Sequence, residues 1–109
     1  MNDLPILDRA RLELATRGNA ALADEFLGAL FEEAGDLIVR LGALMGGDER
    51  LAVADAAHTL KGMATELGAM RLRAAAAALE AELRPVCWPE NVERVAAALA
   101  ELQAFNRNA

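Results

Sequence analysis

The sequence of 109 residues has few of the side chains that crosslink a protein. It contains one cysteine, Cys87, and one histidine, His58. A single cysteine excludes an intramolecular disulfide, and with a single histidine it cannot provide the ligands of a zinc site. A reducing cytoplasm is the compartment that this composition favours.

Long apolar runs and an excess of positive charge are also missing. Apolar residues make up 55% of the chain, yet no uninterrupted run approaches the ~20 residues that a membrane span requires, so we expect no membrane insertion. Eleven Lys and Arg residues stand against seventeen Asp and Glu residues, which gives a formal charge of −6. This balance disfavours electrostatic binding to nucleic acid or to anionic lipid.

Aromatic residues amount to only 4%, and no alternating run of Val, Ile and Thr indicates a strand. The abundant Ala and Leu predict a short first helix over residues 7–16 and longer helices over 20–45, from the N-cap Asp48 to about 68, over 70–84 and over 90–105. We therefore predict an all-α fold, an antiparallel four-helix bundle with a short additional N-terminal helix, as one domain over residues 1–109. A monomer is expected, because four helices can bury their apolar stripes within one chain.

Each long helix has an apolar stripe that is predicted to form the core. The stripes are Phe26, Leu30, Leu37, Leu41 and Leu44; Val53, Ala57, Leu60, Ala64 and Leu67; Leu72, Ala76, Leu79 and Leu83; and Val92, Val95, Leu99 and Leu102. The acidic residues Glu32, Glu33, Glu80 and Glu82 are interpreted as parts of solvated helix faces. Cys87 and Trp88, between two prolines, are interpreted as a packed loop.

The third predicted helix carries the most informative segment, His58-Thr59-Leu60-Lys61-Gly62. His58 lies about 200° around the helix from Leu60, at roughly 100° per residue, so it is predicted to face water. An exposed helical glycine such as Gly62 costs about 1 kcal/mol relative to alanine. Access of a partner to the imidazole is a functional reason for such a glycine. Gly68 is expected to end the helix in a left-handed conformation.

These residues, with Gly68 following, resemble the motif of histidine-containing phosphotransfer (HPt) domains of bacterial two-component phosphorelays. The pattern of that family is His, any residue, a hydrophobic residue, Lys, Gly, and a second Gly six positions later. Every position of the pattern is filled here. Helix order and length extend the resemblance over nearly the whole chain.

The resemblance implies that His58 is a phosphoacceptor reacting through Nε2, in a phosphoryl carrier rather than an enzyme. It implies receiver domains of response regulators, or a hybrid histidine kinase, as partners, and Mg²⁺ supplied by the receiver rather than by any cofactor or metal site of this chain. Lys61 is predicted to offset charge on the phosphoryl oxygens. Thr65, two turns away, is a further candidate through its hydroxyl, and Asp55 through an effect on the imidazole.

Two classes of function remain open at this point. One is a phosphoryl carrier between receiver domains, and no Gly-rich phosphate loop of an ATP site appears. The alternative is a non-phosphorylated helical adaptor that binds or sequesters a signalling partner. The combination of His58, Lys61 and Gly62 favours the carrier, because an adaptor has no need of that trio. The identity of the partners and the direction of phosphoryl flow stay open.

Overall fold

Five α-helices account for most of the chain. The computed structural model describes residues 3–108, so residues 1, 2 and 109 of the predicted domain lie outside the described part. The helices are α1 (Arg9–Thr16), α2 (Ala20–Leu44), α3 (Arg50–Leu67), α4 (Met70–Ala81) and α5 (Trp88–Arg107), with a 3₁₀ turn at Pro85–Cys87. Residues 3–108 contain no strand, which confirms the all-α prediction. Within the same residues, no helix combines the length and apolarity needed to cross a bilayer.

Helices α2 to α5 form the bundle. Each packs on the next along the chain, and α2 closes the ring by packing against α5. Because helices that follow one another along the chain are joined by short loops, consecutive helices run antiparallel. The predicted four-helix bundle with a short additional N-terminal helix is therefore confirmed.

The short helix α1 packs on α2 and at the C-terminal end of α3. The backbone amide of Asp8 donates to the carbonyl oxygen of Gly68 at 2.7 Å, and Nε of Arg11 donates to the carbonyl oxygen of Thr65 at 3.2 Å. Gly68 ends α3 with a φ of 81°, the left-handed conformation that was expected. A Cβ atom on Gly68 would lie 2.5 Å from the carbonyl oxygen of Asp8. The close approach of α1 is thus a second reason for glycine at this position.

The predicted stripes make up most of the core. All predicted members in α3 and α5 are buried, and in α2 Leu30 and Leu41 are buried while the other three are partly buried and pack against the core. In α4 the stripe is buried as far as Leu79. Leu83 is 73% exposed, so its assignment to the core was wrong.

The exposure of Leu83 follows from the early end of α4. The helix ends at Ala81 rather than at residue 84. Pro85 restricts the residue before it to extended conformations, and Arg84 accordingly has a φ of −99° and a ψ of 111°. Leu83 therefore lies in a non-helical segment, and its side chain does not continue the buried stripe of α4.

Trp88 is packed, as interpreted from the sequence, but its assignment to a loop was wrong. It begins α5, two residues before the predicted start, and Pro89 is tolerated there because the first turn of a helix needs no backbone donor. Trp88 is only 2% exposed. Its Nε1 donates to the carbonyl oxygen of Glu82 at 3.1 Å, which ties the connection between α4 and α5 to the core.

The predicted N-cap of α3 was wrong as well. The cap position belongs to Glu49, whose side chain makes no hydrogen bond to the backbone amides of the first turn. Since α3 begins at Arg50, Asp48 lies one residue outside the cap position. Its carboxylate instead accepts a hydrogen bond from Nε of Arg50 at 2.9 Å.

Candidate functional site

His58 lies in the middle of α3, on the face directed away from the core. Its side chain is 69% exposed, whereas Leu60 on the opposite side of the helix is 0% exposed. The packing of the apolar stripe of α3 against α2 and α4 fixes this orientation. The exposed position predicted for His58 is confirmed.

A carboxylate from α4 joins His58 to Lys61. Glu80 Oε2 lies 2.7 Å from Nδ1 of His58, and Glu80 Oε1 accepts a hydrogen bond from Nζ of Lys61 at 2.5 Å. The interpretation of Glu80 as part of a solvated helix face was wrong, because its side chain is only 26% exposed and both oxygens are engaged. Glu32 and Glu33 do lie on an exposed face, as predicted.

The register of the α3–α4 hairpin explains why Glu80 meets His58. His58 lies eleven residues before Ala69 in the tight connection, and Glu80 lies eleven residues after it. In an antiparallel helical hairpin, residues equally distant from the turn lie at the same level. This equal spacing is the signal from which Glu80 could have been found in the sequence.

The charge state of Glu80 determines which nitrogen of His58 is free. Hydrogen bonds from Lys61, and next from His58, lower the pKa of the Glu80 carboxyl. An ionised carboxylate only accepts hydrogen bonds, so Nδ1 of His58 carries the proton in this contact. In the neutral imidazole the lone pair then resides on Nε2.

Lys61 and Gly62 flank His58 in different ways. Lys61 lies one turn after His58 on α3. Its side chain is 33% exposed and forms an ion pair with Glu80. Gly62 is exposed, and a Cβ atom placed on it would meet no atom within 4 Å. No contact within the described residues therefore requires a glycine at position 62. The roles predicted for both residues stay predictions.

Thr65 and Asp55 are less closely joined to the imidazole. The hydroxyl of Thr65 donates to the carbonyl oxygen of Lys61 at 2.6 Å and accepts from Nε of Arg73 at 3.0 Å. Both bonds hold the hydroxyl within the α3–α4 hairpin. Asp55 lies one turn before His58 on α3, and both residues line a shallow depression.

Cys87 carries the one thiol of the sequence. A hydrogen bond with the Glu82 carboxylate, and next burial, raise the pKa of this thiol above its ordinary value. A raised pKa disfavours the thiolate, which is the reactive form. The environment of Cys87 does not activate it, in agreement with its interpretation as a packed residue.

Acidic residues near His58 do not form a metal site of their own. Within residues 3–108, no group of three or more His, Cys, Asp or Glu side chains is arranged to hold a metal ion. Both oxygens of Glu80, the acidic side chain in contact with His58, are already bonded to the imidazole and to Lys61.

The fold and the site together define an antiparallel helical bundle that presents one exposed histidine, backed by a carboxylate and a lysine, from the middle of a helix. The family model of the Hpt domain matches residues 25–105, and the chain belongs to this family. No significant match was found among curated proteins or among solved structures. Hpt domains are phosphocarrier modules of two-component phosphorelays, and they interact with receiver domains and histidine kinases.

Proposed function

We propose that this protein carries a phosphoryl group on Nε2 of His58 between the aspartates of receiver domains. The observation that supports this most directly is the exposed imidazole whose Nδ1 is bonded to Glu80. This contact leaves the lone pair of Nε2 directed away from Glu80. We propose a cytoplasmic phosphorelay as the setting.

In the accepting step, Nε2 attacks the phosphorus of an aspartyl phosphate on the receiver. The N–P bond forms, the P–O bond to the aspartate breaks, and the aspartate leaves as a carboxylate. The proton on Nδ1 stays in its hydrogen bond with Glu80, whose negative charge offsets the positive charge that develops on the ring. Donation to a second receiver is the reverse of this step with a new aspartate.

Lys61 and Gly62 have complementary roles in this proposal. An ammonium group has three donors, so Nζ of Lys61 can keep its bond to Glu80 and also reach a phosphoryl oxygen. Gly62 leaves space beside the imidazole for the partner. Thr65 and Asp55 are assigned no contact with the phosphoryl group.

Phosphoryl transfer requires in-line placement of the reacting atoms and neutralisation of charge, and Mg²⁺ commonly supplies part of that charge. We propose that the acidic pocket of the receiver supplies the Mg²⁺. This chain then contributes the nucleophile, the orientation of the imidazole and the positive charge of Lys61. We assign the chain neither a cofactor of its own nor a kinase activity.

The test is phosphoryl transfer from a panel of phosphorylated receiver domains to the wild type and to His58→Gln. We expect an acid-labile, base-stable label on the wild type alone, with unchanged helical content in the variant because position 58 is exposed. A variant that is labelled as well as the wild type would contradict the assignment of His58. A folded wild type that no receiver labels would favour the adaptor function.

A further inference from the structure

A carboxylate that is bonded to no other side chain lies beside His58 on α3. Asp55 is three residues before His58, which places the two side chains about 60° apart around the helix and about 4.5 Å apart along its axis. Asp55 is exposed, and both residues line the same shallow depression. Within residues 3–108, the carboxylate of Asp55 forms no hydrogen bond or ion pair, and the hydroxyl of Thr59 donates to the main-chain carbonyl oxygen of Asp55 instead. The negative charge of Asp55 therefore faces any small molecule that enters the depression.

The charges around His58 do not balance. The ammonium group of Lys61 is paired with Glu80, the carboxylate that also contacts the imidazole. Asp55, Glu80 and Lys61 together leave one net negative charge beside the imidazole, within a chain whose formal charge is −6. The other residues that line the depression are uncharged: Leu51, Ala52 and Ala54.

The next charges along the α3–α4 hairpin are more distant. Arg73 bonds the hydroxyl of Thr65, which lies seven residues after His58, or about 10 Å along the axis of α3. Arg50 lies eight residues before His58 and is paired with Asp48. Surface charges interact weakly beyond the Debye length, which is about 10 Å in 0.1 M salt. The local excess of negative charge is therefore the main field that acts on a phosphoryl donor at His58.

Phosphoryl donors differ in how they meet this charge. A small phosphorylated molecule in water is an anion that brings no fixed cation with it. On a receiver domain, under the function proposed above, Mg²⁺ holds the phosphoryl group and offsets its charge. Like charges repel, and a bound cation removes that repulsion. The negative charge at Asp55 thus opposes the first kind of donor and not the second.

We propose that Asp55 is a specificity-determining residue, which discriminates against free anionic phosphoryl donors and in favour of the Mg²⁺-bound phosphoryl groups of receiver domains. It acts through its charge, without contact with the transferred group. This inference rests on the proposed function, and it adds the class of donor that the site excludes. Phosphorylation of His58 then depends on protein partners rather than on the concentration of small phosphorylated molecules.

The test compares phosphoramidate, as the free anionic donor, with a phosphorylated receiver domain, as the Mg²⁺-bound donor. With phosphoramidate, Nε2 of His58 attacks the phosphorus, the new N–P bond forms, the P–N bond of the donor breaks and ammonia leaves. The proton on Nδ1 stays in its hydrogen bond with Glu80. Both donors thus give the same phosphohistidine, and they differ in the charge that approaches the site.

Three variants isolate the charge of Asp55. Asp55→Asn removes the charge and keeps the shape of the side chain, and Asp55→Lys reverses the charge. Asp24→Asn is the matched control, because Asp24 is also exposed and its replacement changes the net charge by the same amount. Asp24 lies near the start of α2, beside the C-terminal end of the antiparallel α3, and Leu67 at that end is about 14 Å from His58 along the axis. At that distance, 0.1 M salt screens its charge.

We expect phosphoramidate to label Asp55→Asn about two- to fivefold faster than the wild type, and Asp55→Lys about tenfold faster or more. Added salt should accelerate labelling of the wild type, because it screens the repulsion, and should slow labelling of Asp55→Lys. Asp55→Asn should respond to salt less than either. With the phosphorylated receiver, Asp55→Asn should match the wild type, and Asp24→Asn should match it with both donors.

Several outcomes would overturn the proposal. Unchanged labelling by phosphoramidate in both Asp55 variants would show that the charge has no effect on the donor. An equal gain with both donors would show that Asp55 acts on the imidazole itself, and a loss of transfer from the receiver in Asp55→Asn would show that Asp55 contacts the receiver. An equal gain in Asp24→Asn would show an effect of net charge alone.

Failure of the proposed function gives a different result. A wild type that phosphoramidate labels at His58, but that no receiver labels, would remove the proposed function and the receiver as the favoured donor. The rates of the Asp55 variants with phosphoramidate would still test the charge effect in that case.

Discussion

Oε2 of Glu80 lies 2.7 Å from Nδ1 of His58 across the interface of α3 and α4, and the other oxygen of the same carboxylate is bonded to Lys61. The carboxylate thereby holds the imidazole in one orientation and one tautomer. It also keeps the ammonium group of Lys61 near the ring. Carboxylates that orient histidine ligands act in the same way in metal sites.

We predict that Glu80→Ala changes the tautomer of the neutral imidazole. The wild type should show the proton on Nδ1, whereas the variant should show a substantial fraction of the Nε2–H form, because the acceptor is lost. Long-range ¹H–¹⁵N correlation spectra of His58 distinguish the two forms. Phosphoryl acceptance should fall about 10- to 100-fold, the range found for carboxylates that orient metal-binding histidines.

Glu32→Ala is the control for this experiment, since Glu32 lies on an exposed face of α2. It should leave both the spectrum of His58 and the transfer rate unchanged. If the wild type itself carried the proton on Nε2, the role assigned to Glu80 would be incorrect. A Glu80→Ala variant with an altered tautomer and full transfer would limit Glu80 to a structural role.

The same contact predicts a pH dependence of stability. Hydrogen bonds from Lys61 and His58 lower the pKa of the Glu80 carboxyl in the folded protein, whereas a glutamate in an unfolded chain titrates near pH 4.3. Because the folded pKa is the lower one, ionised Glu80 stabilises the fold above the unfolded pKa. This contribution is lost as the pH falls through the folded pKa.

Urea unfolding of the wild type and of Glu80→Gln measures this contribution. Between about pH 5 and pH 3, the free energy of unfolding should decrease more steeply for the wild type than for the variant. Glu32→Gln should follow the wild type. Parallel curves for the wild type and Glu80→Gln would show that the lowered pKa contributes nothing measurable to stability.

Replacement of Gly62 should separate stability from transfer. Gly62→Ala is expected to raise the free energy of unfolding by about 1 kcal/mol, because alanine favours the helix and its Cβ meets open space. Gly62→Gln should stabilise the helix by somewhat less. It should also slow transfer from a receiver, because its side chain fills the space beside His58.

Urea unfolding and phosphoryl transfer from a phosphorylated receiver domain test these expectations. Gly28, an exposed glycine of α2 with equally open surroundings, is the matched control. Gly28→Gln should raise stability to a similar extent without slowing transfer. A Gly62→Gln variant that is destabilised yet accepts phosphoryl groups normally would refute the steric explanation of this glycine.

Replacement of Gly68 should destabilise the fold through two separate effects. Alanine in the left-handed conformation costs about 1–2 kcal/mol, and its Cβ would in addition lie 2.5 Å from the carbonyl oxygen of Asp8. Gly18 also has a positive φ, 72°, but a Cβ there meets no atom within 4 Å. The loss of unfolding free energy for Gly68→Ala should therefore exceed that for Gly18→Ala, as measured by urea unfolding. Equal losses would mean that α1 moves away without cost.

Much of the site was predictable because it depends on one helix. The exposure of His58 and the burial of Val53, Ala57 and Leu60 follow from a period of 3.6 residues, which a helix imposes whatever its neighbours are. The end of α3 at Gly68 follows from the conformational freedom of glycine. The spacing of His58, Lys61 and Gly62 also pointed to the family, which the match over residues 25–105 shows.

The features that depend on contacts between helices were missed. The sequence pattern predicts Glu80 to be a surface residue of α4. Only the register of the α3–α4 hairpin brings it to His58. Leu83 continues the helical spacing of Leu79, yet Pro85 ends the helical geometry before that position. Trp88 is packed, as interpreted from the sequence, but it begins α5 instead of lying in a loop.

The sequence by itself thus determined the helices, the face of α3 that meets water and the histidine on that face. These properties depend on spacing within one helix, where the geometry is known in advance. Tertiary structure decided which carboxylate orients the histidine and where the segment around Leu83 lies. Those features depend on the register of one helix against the next. Side-chain packing and loop geometry set that register together.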